Sequence, residues 1–320
     1  MFSLTDHIII DAPADQVWEV VAGRFDRIGE WATAIPASAA LPAAPAGTLP
    51  AVGAPVPGRV CHTGIALVPE ATETIVEYDE AARSLTYQAS GLPGFVTLAR
   101  NRWQITALGP HRCRAEFQAQ LQVRGALGKL ARWWLLARVG RTGQHLLADL
   151  RHLVEHGTVS PRKQRQLNRL TLQRSRIIRA PLPDVWEIIS DLDGYHRHTD
   201  TLAVTTVISG AGQGARRRCV DSSARDWQET CTLWQPHDRY VMDVDVSTYP
   251  AAYRAMFRTF TGAWSVAPVD GGTQVTIRFD ARLRRVPGLA ALARLHAERG
   301  GADMEAILDS YQRTAEQQAG

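Results

Sequence analysis

The sequence predicts an α+β protein of two tandem domains. Each is a curved antiparallel sheet of about seven strands wrapped around a long C-terminal helix, with two short helices after the first strand. Three observations lead there. The chain has 320 residues, about twice a common domain length. A strand signature occurs twice: Glu73-Thr74, Tyr78 and Arg83, then Glu229-Thr230, Trp234 and Arg239 at the same spacings, with Gly58 and Gly214 equally far upstream. Each half also closes on a strand of strict period two followed by a helical pattern, which places helices beside an antiparallel sheet.

In chain order, His7-Ile8-Ile9-Ile10 reads as the first strand. Pro13, Asp15 and the apolar spacing of Val17, Trp18, Val20 and Val21 predict a short helix. A second short helix is expected over 24–31 and a weak strand and loop over 35–57. Strands follow over 58–64, 71–78, 84–90, 95–107 and 113–123. In the last, Cys113, Ala115, Phe117, Ala119, Leu121 and Val123 alternate with polar residues. A helix with a Leu146, Leu150, Leu153 and Val154 stripe runs from Gly125 to about His156. The first domain is thus 1–157, and 158–168 reads as a basic linker.

The second domain, 169–320, repeats the order. A strand over 170–178 precedes Ala180-Pro181 and Val185-Trp186-Glu187, which echo Ala12-Pro13 and Val17-Trp18-Glu19. Strands are expected over 201–208, 215–221, 227–235, 239–247, 256–267 and 273–284, with a hairpin at Asp270-Gly271-Gly272. Pro287 opens the last helix, with a break expected at Gly300-Gly301. In strand 239–247 either Tyr240, Met242, Val244 and Val246 face inward, or Val241, Asp243 and Asp245 do. Apolarity favours the first set, since unpaired buried aspartates are costly.

Composition excludes several classes. A net charge of +4 is too small to imply nucleic acid. The N-terminus lacks the pattern of a signal peptide, and no run is long and apolar enough to span a membrane. A soluble, cytoplasmic protein is expected. The four cysteines form no CxxC pair, so buried free thiols are expected rather than a zinc site. His196-Arg197-His198 has no third ligand at a defined spacing, and a solvated loop is the preferred reading, so no metal is expected. No GxGxxG, P-loop or GxSxG motif occurs, and no cofactor is expected.

The Ala-Pro and Val-Trp-Glu pairs, the Glu-Thr, aromatic and Arg strand, and Trp264-Ser265-Val266-Ala267-Pro268 before Asp270-Gly271-Gly272 together resemble the START-like, helix-grip superfamily. That superfamily includes polyketide cyclases and aromatases, lipid-transfer domains and plant abscisic-acid receptors. The tandem arrangement is similar to didomain aromatase/cyclases, although Leu233 stands where an arginine of their catalytic pattern is sought. The resemblance implies that Glu73 and Glu229 face a ligand cavity. It turns Val60 and His62, and Arg216 and Arg218, the same way. His62 with Glu73 would form an acid–base pair, and Arg218 with Glu229 would anchor an enolate or carboxylate. Surface positions and structural ion pairs are the bland readings of these groups. Tyr87, Asn101, Trp103, Arg216, Arg258 and Trp264 are the candidate substrate contacts. The two tryptophans are more readily core, and Arg258 is placed near the entrance.

The expectation is a cofactor-independent cyclase or aromatase acting on a hydrophobic, polyketide-like intermediate. The alternative is a non-catalytic binder or transporter of a hydrophobic small molecule, and a third is a scaffold that binds another protein. The basic clusters at Lys129, Arg132, Arg138 and Arg141, and from Arg162 to Arg176, suit an acidic acyl carrier protein as partner. Oligomeric state is left open.

Overall fold

The computed structural model describes residues 2–43, 51–65, 68–285 and 289–318. The chain divides into two compact units, Met1–Gln166 and Leu167–Gly320. In the first, the strands are β1 (Phe2–Ile10), β2 (Ala37–Ala40), β3 (Gly58–Ile65), β4 (Val68–Asp79), β5 (Ser84–Ser90), β6 (Val96–Gly109) and β7 (Arg112–Val123). Their spatial order is β1-β7-β6-β5-β4-β3-β2, with every pairing antiparallel. The helices are α1 (Ala14–Trp18), continued by one wider turn, then α2 (Ile28–Trp31), α3 (Gly125–His156) and α4 (Pro161–Gln166).

The second unit has β8 (Arg169–Ile178), α5 (Leu182–Ile189), β9 (Leu202–Ser209), β10 (Arg216–Asp221), β11 (Asp226–Gln235), β12 (Arg239–Val244), α6 (Ala251–Met256), β13 (Phe257–Val269), β14 (Gly272–Leu283) and α7 (Leu289–Gln318). Its sheet order, β8-β14-β13-β12-β11-β10-β9, repeats the first. Each unit is therefore a seven-stranded antiparallel sheet gripping one long helix.

Period two decides which residues fill each core. Cys113, Ala115, Phe117, Ala119 and Leu121 of β7 are all buried, as are Val275, Ile277 and Ala281 of β14. The leucine stripe of α3 closes the first core through Leu146, Leu147 and Leu150. Gly157 ends that helix at φ 66, a left-handed conformation that glycine adopts without strain, and its N–H returns to Leu153 O.

Four expectations are corrected. The last helix does not break at Gly300-Gly301. A Cβ on Gly300 would lie 3.2 Å from Leu172, and one on Gly301 2.8 Å from Arg174, so these glycines let α7 approach β8 closely. Strand 239–247 stops at Val244, and the chain leaves the sheet through α6 before β13. Residues 161–166, read as linker, form a helix whose Lys163 is fully buried and donates to Ile35 O at 2.8 Å.

The fourth concerns the repeated signature, whose equal spacings are not all structural equivalences. Tyr78 pairs with Leu85, and Trp234 with Tyr240. The turn between is one residue longer in the first unit. Arg83 consequently sits in that turn at φ 48 and binds Asp15, whereas Arg239 opens β12 and binds Gln235. Gly58 lies opposite Thr74, but the residue opposite Thr230 is Arg216 and not Gly214.

Candidate active site

The two glutamates do lie on the inner faces of their sheets, each opposite an arginine. Glu73 on β4 is the cross-strand partner of Arg59 on β3, and Glu229 on β11 that of Arg217 on β10. Both arginines are almost wholly buried. Arg59 Nε donates to Glu73 Oε2 at 2.6 Å and Nη1 to Phe25 O at 2.7 Å, while its guanidinium lies 3.8 Å from the Phe25 ring centre. Arg217 reaches Glu229 Oε2 through Nε at 2.9 Å and Nη2 at 2.7 Å, and lies 4.7 Å from the Tyr195 ring centre. A cysteine two residues on, Cys61 or Cys219, shares each pocket, and Cys61 Sγ is 3.6 Å from Glu73 Oε2.

Electrostatics keep these sites ionic at their centre and neutral around it. Burial alone would lower both arginine pKa values, but the facing carboxylate outweighs it and the net shift is upward. Burial, then the Glu73 charge, pushes the Cys61 thiol up to about 12. The same two causes raise the Tyr87 phenol. Both groups thus remain protonated at neutral pH and serve as donors or packing, not as nucleophiles.

The expected pairings are corrected by the strand parity. His62 points outward and meets Glu70 at 3.2 Å, both half exposed. Arg218 also points outward and binds Asp226 at 2.8 Å. Arg216 is exposed and held by Gln228. The inward residues are Arg59 and Cys61, and Arg217 and Cys219. The cysteines carried that signal: a thiol buried two positions from an arginine puts both on the inner face.

The remaining candidates divide. Tyr87 is buried, 5.2 Å from the Arg59 guanidinium, with Asn101 across the strand. Trp103 packs on Phe117 in the core, and Trp264 stacks on Tyr240 at 5.0 Å. Arg258 lies exposed. Tyr240, Met242 and Val244 face inward and Asp243 outward, as apolarity required. Equal sequence spacing from the two glutamates would match Asp243 to Tyr87, but the shorter turn shifts the register. Leu85 lies opposite Trp103 as Tyr240 does opposite Trp264, so Tyr87 corresponds to Met242. The side chains of Lys129 and Arg132 lie outside the described residues.

The units differ around the shared pair. Glu229 Oε1 accepts a hydrogen bond from Trp227 Nε1 at 2.8 Å. By register the counterpart of Trp227 is Ala71, and Glu73 Oε1 has no such donor among the described residues. Two further inward positions follow suit. Ala99 and Ala119 stand where the second unit has Phe260 and Phe279. At these positions the first unit has the smaller side chains, while Tyr87, Asn101, Phe117 and Leu121 stand where the second has Met242, Gly262, Ile277 and Ala281.

The two units thus share one architecture, a curved antiparallel sheet around a long helix with a buried ion pair on its inner face. The family model for polyketide cyclase / dehydrase and lipid transport matches residues 1–155 and again 169–316, and the chain belongs to that family. No curated protein matches it in sequence. Among solved structures it is similar to two di-domain ARO/CYC proteins. BexL is 17% identical with TM-score 0.41, and StfQ from the steffimycin biosynthetic pathway is 15% identical with TM-score 0.42, each match covering 99% of both chains. A START superfamily protein from Mycobacterium smegmatis is 16% identical with TM-score 0.38, over 49% of this chain and 99% of its own. No helix among the described residues is long and apolar enough to cross a membrane.

Proposed function

We propose that the protein is a cofactor-independent cyclase or aromatase for a hydrophobic, polyketide-like intermediate, and that its chemistry is carried by the first unit. One observation supports this most: Glu73 has one oxygen fixed by Arg59 and the other without a donor among the described residues, with Ala71, Ala99 and Ala119 on the same face. The unclaimed oxygen takes a proton from a methylene flanked by two carbonyls. Arg59, with the neutral Tyr87 hydroxyl, stabilises the enolate that forms. The enolate carbon attacks a carbonyl carbon of the same chain and closes the ring, and the new alkoxide takes back the proton. Loss of water with a second α-proton leaves a ring double bond, and enolisation of the two remaining ring carbonyls makes the ring aromatic. Candidate positions His62, Arg216 and Arg218 face the wrong way for any of these steps.

A poly-β-keto thioester incubated with the protein should yield a cyclised product lighter by one water, read by mass spectrometry. Glu73→Gln, shown to be folded by circular dichroism, should slow this by about 10²–10⁴-fold. Wild-type rates in Glu73→Gln, Glu229→Gln and the double variant would sink the carboxylate mechanism.

The second unit favours a second reading, a binder of hydrophobic small molecules. Its Glu229 is satisfied on both oxygens and surrounded by aromatic rings. Native mass spectrometry on protein from its source separates the two: an unmodified ligand that leaves unchanged supports binding alone. An acidic carrier protein as the delivering partner rests on the basic residues near α3. Charge reversal at Arg138 should then weaken carrier binding, and no change would remove that partner.

A further inference from the structure

In the second unit the sheet parts between β12 and β13. Their last pair is Asp243 with Thr261, after which the chain makes the excursion over residues 245–256. The matching connection in the first unit spans only 91–95. The parting leaves a groove of about 650 Å³ lined by Val246 and Phe260 and by three arginines, Arg254, Arg258 and Arg284.

The charges at this groove are unequal in freedom. Arg284 Nε is tied to Arg254 O and Phe257 O, and Arg254 Nη1 reaches Ser247 O. Among the described residues none of the three arginines meets a carboxylate at ion-pair distance, and Arg258 makes no hydrogen bond. Two aspartates also line the groove. Asp245 Oδ1 is occupied by Ser247 N and Oγ, and Asp243 projects from the outer face of β12. Of the three arginines, Arg258 is the one whose guanidinium is left without a partner among the described residues.

A packed row of rings leads inward from the groove's Phe260. Tyr249 lies 6.2 Å from Phe260, Phe260 5.7 Å from Phe279, and Phe279 5.8 Å from Trp264, centre to centre. Trp264 in turn lies 6.0 Å from the Arg217 guanidinium. In the first unit Ala99 and Ala119 replace the two phenylalanines. An arginine at the mouth and rings behind it suit a ligand that is flat, apolar and anionic at one end.

We infer that the groove between β12 and β13 binds the carboxylate, sulfonate or phosphate end of a flat apolar acid, with Arg258 as the anion contact. This stands apart from catalysis at Glu73, so either can fail alone.

Anilinonaphthalene sulfonate and the uncharged N-phenylnaphthylamine, titrated into the full chain by fluorescence, test it. Arg258→Ala should weaken the sulfonate about tenfold, Arg258→Glu should weaken it further, and Arg258→Lys should restore most of the affinity. The neutral probe should change less than about twofold. Unchanged sulfonate affinity in both Ala and Glu variants, an equal loss for both probes, or no sulfonate binding to the wild type would each overturn the inference.

Discussion

The ion pairs Arg59–Glu73 and Arg217–Glu229 have the same register and the same neighbouring cysteine, yet different company. In the second unit an indole N–H completes the glutamate's hydrogen bonds and rings fill the space around it. In the first, the same positions hold alanines. A charge pair that is fully satisfied and tightly surrounded is structural in effect, because moving a proton there leaves a neighbour unpaired. A pair with one open oxygen beside small side chains can exchange that proton with a guest. The charged residues are shared; the differences include Ala71, Ala99 and Ala119 against Trp227, Phe260 and Phe279, and Tyr87 and Asn101 against Met242 and Gly262.

The comparison breaks most visibly at turnover. If the units divide the work, Glu73→Gln lowers the cyclisation rate by about 10²–10⁴-fold while Glu229→Gln leaves it within about threefold. Equal losses would erase the distinction. Stability should show the reverse order. Arg217→Met strands a buried carboxylate and should cost about 3–5 kcal/mol in urea unfolding. Adding Glu229→Leu should recover most of that, since replacing both partners by apolar groups is close to neutral. Arg59→Met should cost less than Arg217→Met, because Arg59 holds its glutamate through Nε alone while Arg217 holds Glu229 through Nε and Nη2.

A smaller effect is expected from Trp227→Phe, which removes only the cap on Glu229 and should cost about 1–3 kcal/mol. Ala71→Trp should move the first unit toward the second, slowing turnover as the glutamate gains its donor. A separate, pH-dependent effect is expected at Lys163. Burial lowers its folded-state pKa from 10.5 to about 8, opposed by Asp149. Between those values the unfolded chain binds the proton more strongly, so stability rises with pH across that window and is flat, for this group, below it. Lys163→Met should abolish that rise in unfolding titrations at pH 7, 9 and 10.5.

How much of this was legible in the sequence depended on whether alternation was clean. β7 and β14 alternate strictly, and the face of each is legible, with bounds within one residue of those observed. β3 does not, since Val60 and Cys61 are adjacent apolar residues, and Arg216-Arg217-Arg218 gives β10 no pattern at all. There the face was taken from a resemblance, and His62 and Arg218 were placed inward in error. The cysteine two residues beyond Arg59 and Arg217 held the missing information. The turns were illegible for a different reason. A turn one residue longer leaves the signature spacings equal while shifting the strand behind it, so Arg83 and Arg239 align in sequence and part in space. The helix Ala251–Met256 is too short for a period to show.

Lys163 also bears on where this chain can be divided. Its ammonium is held by Ile35 O and Gln166 Oε1, within the fold of the preceding residues. A gene split after Gly157 would carry that lysine away with the wrong half and leave an uncovered polar carbonyl behind. A split after Gln166 keeps both partners together, and is the cut at which each half is best produced and assayed alone.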